Sequence, residues 1–268
     1  MNKIEAKKHL LKTMLVATMS VSMLSQYNEN VYAEPTDSIE SIDYNMIPED
    51  AKGILMYYCN VFNLDYNQVS NLLLNHSLLI GSPSINVIDG VPYESTEVAI
   101  LTFIYNVYFN SKQYGVSRNE ITNGQNYEMH TTLEECLDKY CKLLHINSDI
   151  ALSIAYAECG SAMDSYNYLA RNNPAGIGPH MHFANKEVGI IYYAFLLRDS
   201  YGLTNESGPE FFDRIAGTYN KVNTNHWISM AKGFYNDVTQ NYYCYNDPSL
   251  PQVQVAKVLE RSLTIEHS

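Results

Sequence analysis

Basic residues are scarce in this chain. Seventeen Lys and Arg stand against 29 Asp and Glu in 268 residues, a formal net charge of −12. That balance argues against a nucleic-acid partner and against an anionic membrane surface, and leaves neutral ligands open. Long apolar runs are scarce too. Residues 14–24 are apolar but too few to span a bilayer, and no second such run follows, which implies a soluble mature chain without membrane contact. Cysteine is limited to five, Cys59, Cys136, Cys141, Cys159 and Cys244, and an odd number precludes complete intramolecular pairing. Cys136 and Cys141 are five apart on one expected helix and point in different directions, so they make a poor bridge. No spacing of these thiols fits a zinc site, and neither metal nor cofactor is expected. Strand signals are few and short, which points to a mainly α chain.

What is present divides the chain into five parts. Lys3, Lys7, Lys8 and Lys12, the apolar run and Val31-Tyr32-Ala33 read as a secretory leader over 1–33; a retained signal-anchor is the alternative. Its removal leaves 13 basic against 27 acidic residues, about −14. A polar tether follows over 34–45, with Pro35, Asp37, Ser38 and Ser41. Residues 46–130 read as a helical accessory region: helices over 48–62 and 66–75, a small hairpin within 82–94 around Asp89-Gly90, and an apolar helix opened by Ser95-Thr96-Glu97. A second helical region covers 131–246, with helices opened by Thr132, Asn185, Pro209 and Thr224, and a tail of unassigned use covers 247–268. The 23 Tyr supply stacking faces and hydroxyls together, which suits carbohydrate as well as packing.

One segment echoes another. Tyr58-Cys59-Asn60-Val61-Phe62-Asn63-Leu64-Asp65 recurs as Tyr140-Cys141-Lys142-Leu143-Leu144-His145-Ile146-Asn147, 82 residues later. The pattern suggests a helix-turn-helix present twice, although amphipathic helices share such patterns by chance as well. On this register His76 stands opposite Glu158.

Glu158 is the most informative residue. Ile150, Ile154 and Glu158 stand four apart, so on a helix the carboxyl continues an apolar stripe, and Gly160 marks the helix end. Desolvation and the negative end of the helix dipole both disfavour ionisation there. A carboxyl kept protonated near neutral pH is what a general acid requires. A partly exposed Glu in a last turn is the plainer reading. Cys159, beside it, has no evident His partner and reads as a small buried side chain, not a nucleophile.

The order of features from Glu158 onward resembles the lysozyme-like glucosaminidase domains that cut the glycan strands of bacterial peptidoglycan. The resemblance covers about 132–243. It rests on Glu158-Cys159-Gly160-Ser161, Tyr168-Leu169-Ala170, Asn172-Asn173-Pro174-Ala175-Gly176-Ile177, the stretch from Phe183 to Ile190, Leu196 to Tyr201, and Gly217-Thr218-Tyr219-Asn220 with Trp227 eight residues after Tyr219. It implies a lysozyme-like helical domain with at most a short β-hairpin. It also implies that Glu158 is the catalytic acid and that Tyr219 is the aromatic hydroxyl lining the cleft beside it. We place Tyr219 in a loop after Gly217, and assign Asn173, Gly176 and His182 to substrate binding. Asn172 and Asn173 suit equally the task of holding the turn before Gly176. Trp227 can stack on sugar, but its spacing with Met230 and Phe234 is that of a core stripe.

One departure matters. Many of these enzymes carry a second carboxylate on a longer hairpin after the Asn-Asn-x-x-Gly-Ile segment. Here the insert from Gly178 to His182 holds His180 and His182 but no acid. Glu187 reads as cap and dipole chemistry at a helix opened by Asn185, and Asp164 as a loop residue. The expectation is therefore a secreted, wall-acting endo-β-N-acetylglucosaminidase that binds peptidoglycan glycan strands, with Glu158 as acid and an unassigned second group. The alternatives are a lytic transglycosylase, which needs one Glu only, and a wall-binding protein without activity.

Overall fold

A computed structural model describes residues 47–77, 85–178 and 180–246. The expected leader, tether and C-terminal tail lie outside the described residues. Within them the chain is mainly helical, as its sequence implies. Its one sheet there is a two-stranded antiparallel hairpin that pairs Val87 with Pro92 and Ile88 with Val91.

The first half runs through α1 (Glu49–Val61), α2 (Tyr66–His76), the hairpin β1 (Val87–Ile88) and β2 (Val91–Pro92), α3 (Thr96–Phe109), a 3-10 turn (Ser111–Tyr114) and the short α4 (Arg118–Ile121). The second half contains α5 (Leu133–Leu143), α6 (Ser148–Cys159), α7 (Tyr166–Arg171), α8 (Lys186–Asp199), α9 (Glu210–Tyr219) and α10 (Thr224–Asn246). Side-chain caps start these helices where the sequence places Asx, Ser or Thr. Asp65, Ser95, Asn147 and Asn185 accept first-turn N–H groups of α2, α3, α6 and α8, and Thr132 forms a capping box with Glu135 on α5. Several features differ from expectation. The short α4 and α7 and the 3-10 turn lack apolar periodicity and escape sequence reading, α10 runs on to Asn246, and α9 continues through Gly217 to Tyr219.

The sequence echo has a structural counterpart. Asn63 and His145 both adopt the left-handed conformation, with φ of 55° and 53°. Leu64 N–H reaches back to Cys59 O at 2.8 Å, and Ile146 N–H to Cys141 O at 2.9 Å. Both turns are thus Schellman motifs, which close the orphan carbonyls of α1 and α5 alike. The likeness extends to the third helix of each half. Tyr58 Oη donates to Glu97 Oε1 at 2.8 Å in the first turn of α3, and Tyr140 Oη donates to Glu187 Oε1 in the first turn of α8. α1 packs on α3 as α5 packs on α8. Between the second and third helices the first half inserts its hairpin, and the second half inserts α7 and the loop after it. His76, at the position equivalent to Glu158, pairs with Asp89 on the hairpin turn at 2.6 Å.

One apolar core runs from Ile47 to Ala231 and includes side chains of both halves. A polar joint reinforces it. Glu187 is 3% exposed and accepts hydroxyls from Tyr57, Tyr140 and, at 2.7 Å, Tyr127. Its place in the first turn of α8 agrees with the dipole reading, but three phenols occupy its oxygens. Burial first, with Glu187 adding to it, holds these phenols above their ordinary range, Tyr127 at about 12, so they stay protonated donors. Asn185 Nδ2 donates to Val61 O at 2.7 Å beside them and ties the start of α8 to the end of α1. Replacing Glu187 by Ala leaves three partly or fully buried hydroxyls without an acceptor. The expected loss is about 3–5 kcal/mol of unfolding free energy, measured by chemical denaturation.

Candidate active site

Glu158 occupies the last turn of α6, immediately before Gly160, which caps the helix with φ 76°. Its side chain is half-buried, and Trp227 Nε1 donates to its Oε1 at 2.7 Å. Burial raises the Glu158 carboxyl above its ordinary value, and the weaker effect of the Trp227 hydrogen bond lowers it. Trp227 is 1% exposed, as a core stripe predicts. Its indole N–H needs an acceptor once buried, and Glu158 is that acceptor. Sequence reading found the packing role and missed the hydrogen bond.

The contact with Trp227 also orients the carboxyl. An N–H donor at Oε1 occupies that oxygen as an acceptor, which leaves Oε2 as the oxygen to carry a proton when the carboxyl is protonated. Oε2 faces Gly176. A Cβ built on Gly176 lies 2.9 Å from Oε2, and Gly176 adopts φ +59°, so a side chain is excluded there on two counts. Gly176 thus opens the space in front of Oε2.

The loop over 172–177 is pinned on several sides. Asn173 is fully buried; its Nδ2 donates to Ile177 O at 2.8 Å and to Met181 O at 3.4 Å, while its Oδ1 accepts from Ile177 N at 2.9 Å. Of the two tasks open to this residue, holding the turn is the one its geometry performs, and its amide faces the protein. Cys159, 3% exposed, directs its thiol at Pro174 O, 3.2 Å away, and burial pushes that thiol up. Asn172 caps α7 in the left-handed conformation and donates to Phe183 O at 3.0 Å. Its carbonyl oxygen lies 2.0 Å from where a Cβ on Gly189 would stand, so the close approach of α8 to this loop requires glycine.

Tyr219 lies in the last turn of α9, not in a loop after Gly217: the helix tolerates Gly217 because Phe211, Phe212, Ile215 and Ala216 anchor the buried face around it. Its hydroxyl donates to Ala175 O at 3.0 Å, and its ring lies 5.3 Å from the Trp227 ring. Burial, followed by the charge of Glu158, holds the Tyr219 phenol well above its ordinary range, so the group is a neutral hydroxyl. Glu158, Gly176, Tyr219 and Trp227 therefore converge. His182 is exposed and stands outside this hydrogen-bonded set, as does exposed His180. Asp164 places Oδ1 3.9 Å from where a Cβ on Gly160 would stand, and Glu187 is engaged by its three phenols.

No family model, curated protein or solved structure matches this chain. The chemistry of the site then rests on its own geometry. Among the described residues no cluster of three or more His, Cys, Asp or Glu side chains is arranged to hold a metal ion, and no helix is long and apolar enough to cross a membrane. The assembled groups are one carboxyl of raised pKa, one indole donor at its Oε1, and one neutral phenol. This set has the chemistry that general acid catalysis on a leaving oxygen requires.

Two outcomes test the arrangement without reference to activity. The folded-state pKa of Glu158 is raised, so its contribution to stability is full below the unfolded value and is lost as pH rises through the folded one. Glu158→Gln keeps the acceptor for Trp227 and removes the titration. Its melting temperature should exceed the parent's at neutral pH and converge with it at about pH 4 and below, read by calorimetry across pH. Gly176→Ala should cost about 1–2 kcal/mol from its left-handed backbone alone, more as the methyl displaces Oε2, measured by thermal denaturation.

Proposed function

We propose that this chain is a secreted glycoside hydrolase that cuts β-1,4 bonds in the glycan strand of peptidoglycan, as an endo-β-N-acetylglucosaminidase. The observation that carries the reading is the Glu158 carboxyl: half-buried, raised in pKa, held at Oε1 by Trp227, and directing its proton past Gly176. The ordered resemblance from Glu158 through Trp227 supplies the substrate class.

Glu158 donates its Oε2 proton to the glycosidic oxygen, the C1–O bond breaks, and the departing sugar leaves with a free hydroxyl. Trp227 N–H then stabilises the carboxylate left behind. The oxocarbenium-like centre is met by the sugar's own acetamido oxygen or by a water. Tyr219 suits the second task, since its proton is committed to Ala175 O and its oxygen is left to accept from water. Water finally adds at C1 and returns a proton to Glu158. The absence of an acid between Gly178 and His182 favours one second reading, a lytic transglycosylase, in which the C6 hydroxyl closes onto C1 in place of water.

Mass spectrometry of fragments released from purified wall separates these outcomes. Reducing N-acetylglucosamine ends are expected from the mature chain, with a loss of about 10²- to 10⁴-fold in Glu158→Gln. Anhydro-muramic ends reassign the protein to the transglycosylases. No release from a wall that other hydrolases digest overturns the enzyme and leaves a wall-binding protein.

A further inference from the structure

A second polar group faces the same space as the Glu158 proton. Asn167 lies on α7, and its Nδ2 is 3.9 Å from the Cβ position of Gly176 that lies 2.9 Å from Glu158 Oε2. The amide orientation is fixed by its other end. Arg171 Nη1 donates to Asn167 Oδ1 at 3.2 Å, and a guanidinium only donates, so the oxygen faces Arg171 and the NH2 lies toward the space at Gly176. The backbone of Asn167 is held as firmly: its carbonyl accepts from Asn173 N at 3.0 Å, which couples α7 to the loop. Among the described residues no acceptor is hydrogen-bonded to Nδ2. The result is a positioned, half-exposed N–H donor beside the acid.

Its location selects which part of a substrate it meets. The proton on Oε2 is delivered to the leaving oxygen, so the groups flanking Oε2 surround the leaving-group sugar. Asn167 cannot serve as base or nucleophile, because an amide NH2 has neither basicity nor a free lone pair. Its available chemistry is donation to an acceptor oxygen. On the same short helix Tyr166 is 68% exposed and Leu169 58% exposed, three residues apart and so on neighbouring surface, and the Arg171 guanidinium lies 5.1 Å from the Tyr166 ring centroid. An apolar face beside a single amide donor suits a sugar that carries an acyl substituent.

From this we infer that Asn167 binds the leaving-group sugar through an acceptor oxygen next to the departing one, and so sets which glycans are cut. The inference rests on the glycosidase reading above. On a muramyl residue that acceptor is the carbonyl of the 3-O-lactyl group; on plain chitin it is the 3-hydroxyl. Both are carried by the substituent at C3, vicinal to the departing oxygen at C4.

The test compares the parent with Asn167→Ala and Asn167→Asp on defined muramyl glycan fragments and on chitotetraose. Ala removes the donor; Asp keeps the shape and the partner for Arg171, which preserves folding, and places an acceptor where the donor was. Each variant should lose about 10- to 100-fold in kcat/KM, the effect of one unmade hydrogen bond to a positioned donor, with a melting temperature near the parent's. A loss confined to muramyl glycan assigns the lactyl carbonyl, and an equal loss on both assigns the O3 atom the two sugars share, an ether oxygen in one and a hydroxyl in the other. In Asn167→Ala the acidic and basic limbs of the pH–rate profile should stay in place, because the Trp227 contact to Glu158 is untouched; a residue that merely supported the acid would move them. Parent-like kcat/KM on both substrates in both variants overturns the role of Asn167 alone. A parent that cuts neither substrate overturns the glycosidase reading and this inference with it.

Discussion

The carboxylate of Glu187 is the constraint on which the molecule turns. It is buried without an ion pair among the described residues, and three phenols from α1, α5 and the segment before α5 occupy its oxygens. A buried charge is tolerated only when its acceptor sites are filled, so these segments must converge before α8 can start where it does. Lys139 adds a second layer: its Nζ donates to Tyr57 Oη at 3.2 Å and lies 4.3 Å from the Tyr57 ring centroid. Positive charge is thereby brought near the carboxylate without burial of an ammonium.

The joint fixes more than stability. α8 begins directly after the loop that faces Glu158, and its first turn holds both Asn185 and Glu187. Phe183, the last anchor of the loop, packs against Phe109 of α3 and Tyr192 of α8. Gly189 lets α8 touch the Asn172 carbonyl. The first half of the chain thus braces the loop from behind, and Cys159, Asn173 and Tyr219 pin it from the front. A loop pinned on both sides is what holds Gly176 in place in front of Glu158 Oε2.

The two halves share a plan and differ between their second and third helices. Each has a Schellman turn between its first two helices and a Tyr–Glu bond into its third. The half with His76 paired to Asp89 carries a hairpin insert, whereas the half with Glu158 carries α7 and its loop. The repeated frame supplies packing; the insert brings an amide and a permissive glycine up to the Glu158 carboxyl at the end of α6.

Much of this was legible in the residues themselves. Periodicity and caps located α1 to α3, α5, α6 and α8, because a helix start is decided by its local Asx, Ser or Thr and its apolar stripe. The same local logic placed Glu158 at a helix end on a buried face, and Cys159 and Trp227 in the core. The short α7 was not legible, because six residues show no period. Nor was the end of α9: Gly217 reads as a stop, and only packing of its neighbours carries the helix on to Tyr219. The partners of Glu158 and Glu187 belong to the tertiary structure alone. Trp227 is 69 residues from Glu158, and Tyr57 is 130 residues from Glu187. No local pattern encodes such pairs, because they form only when distant helices share one core and each buried donor must find an acceptor within it.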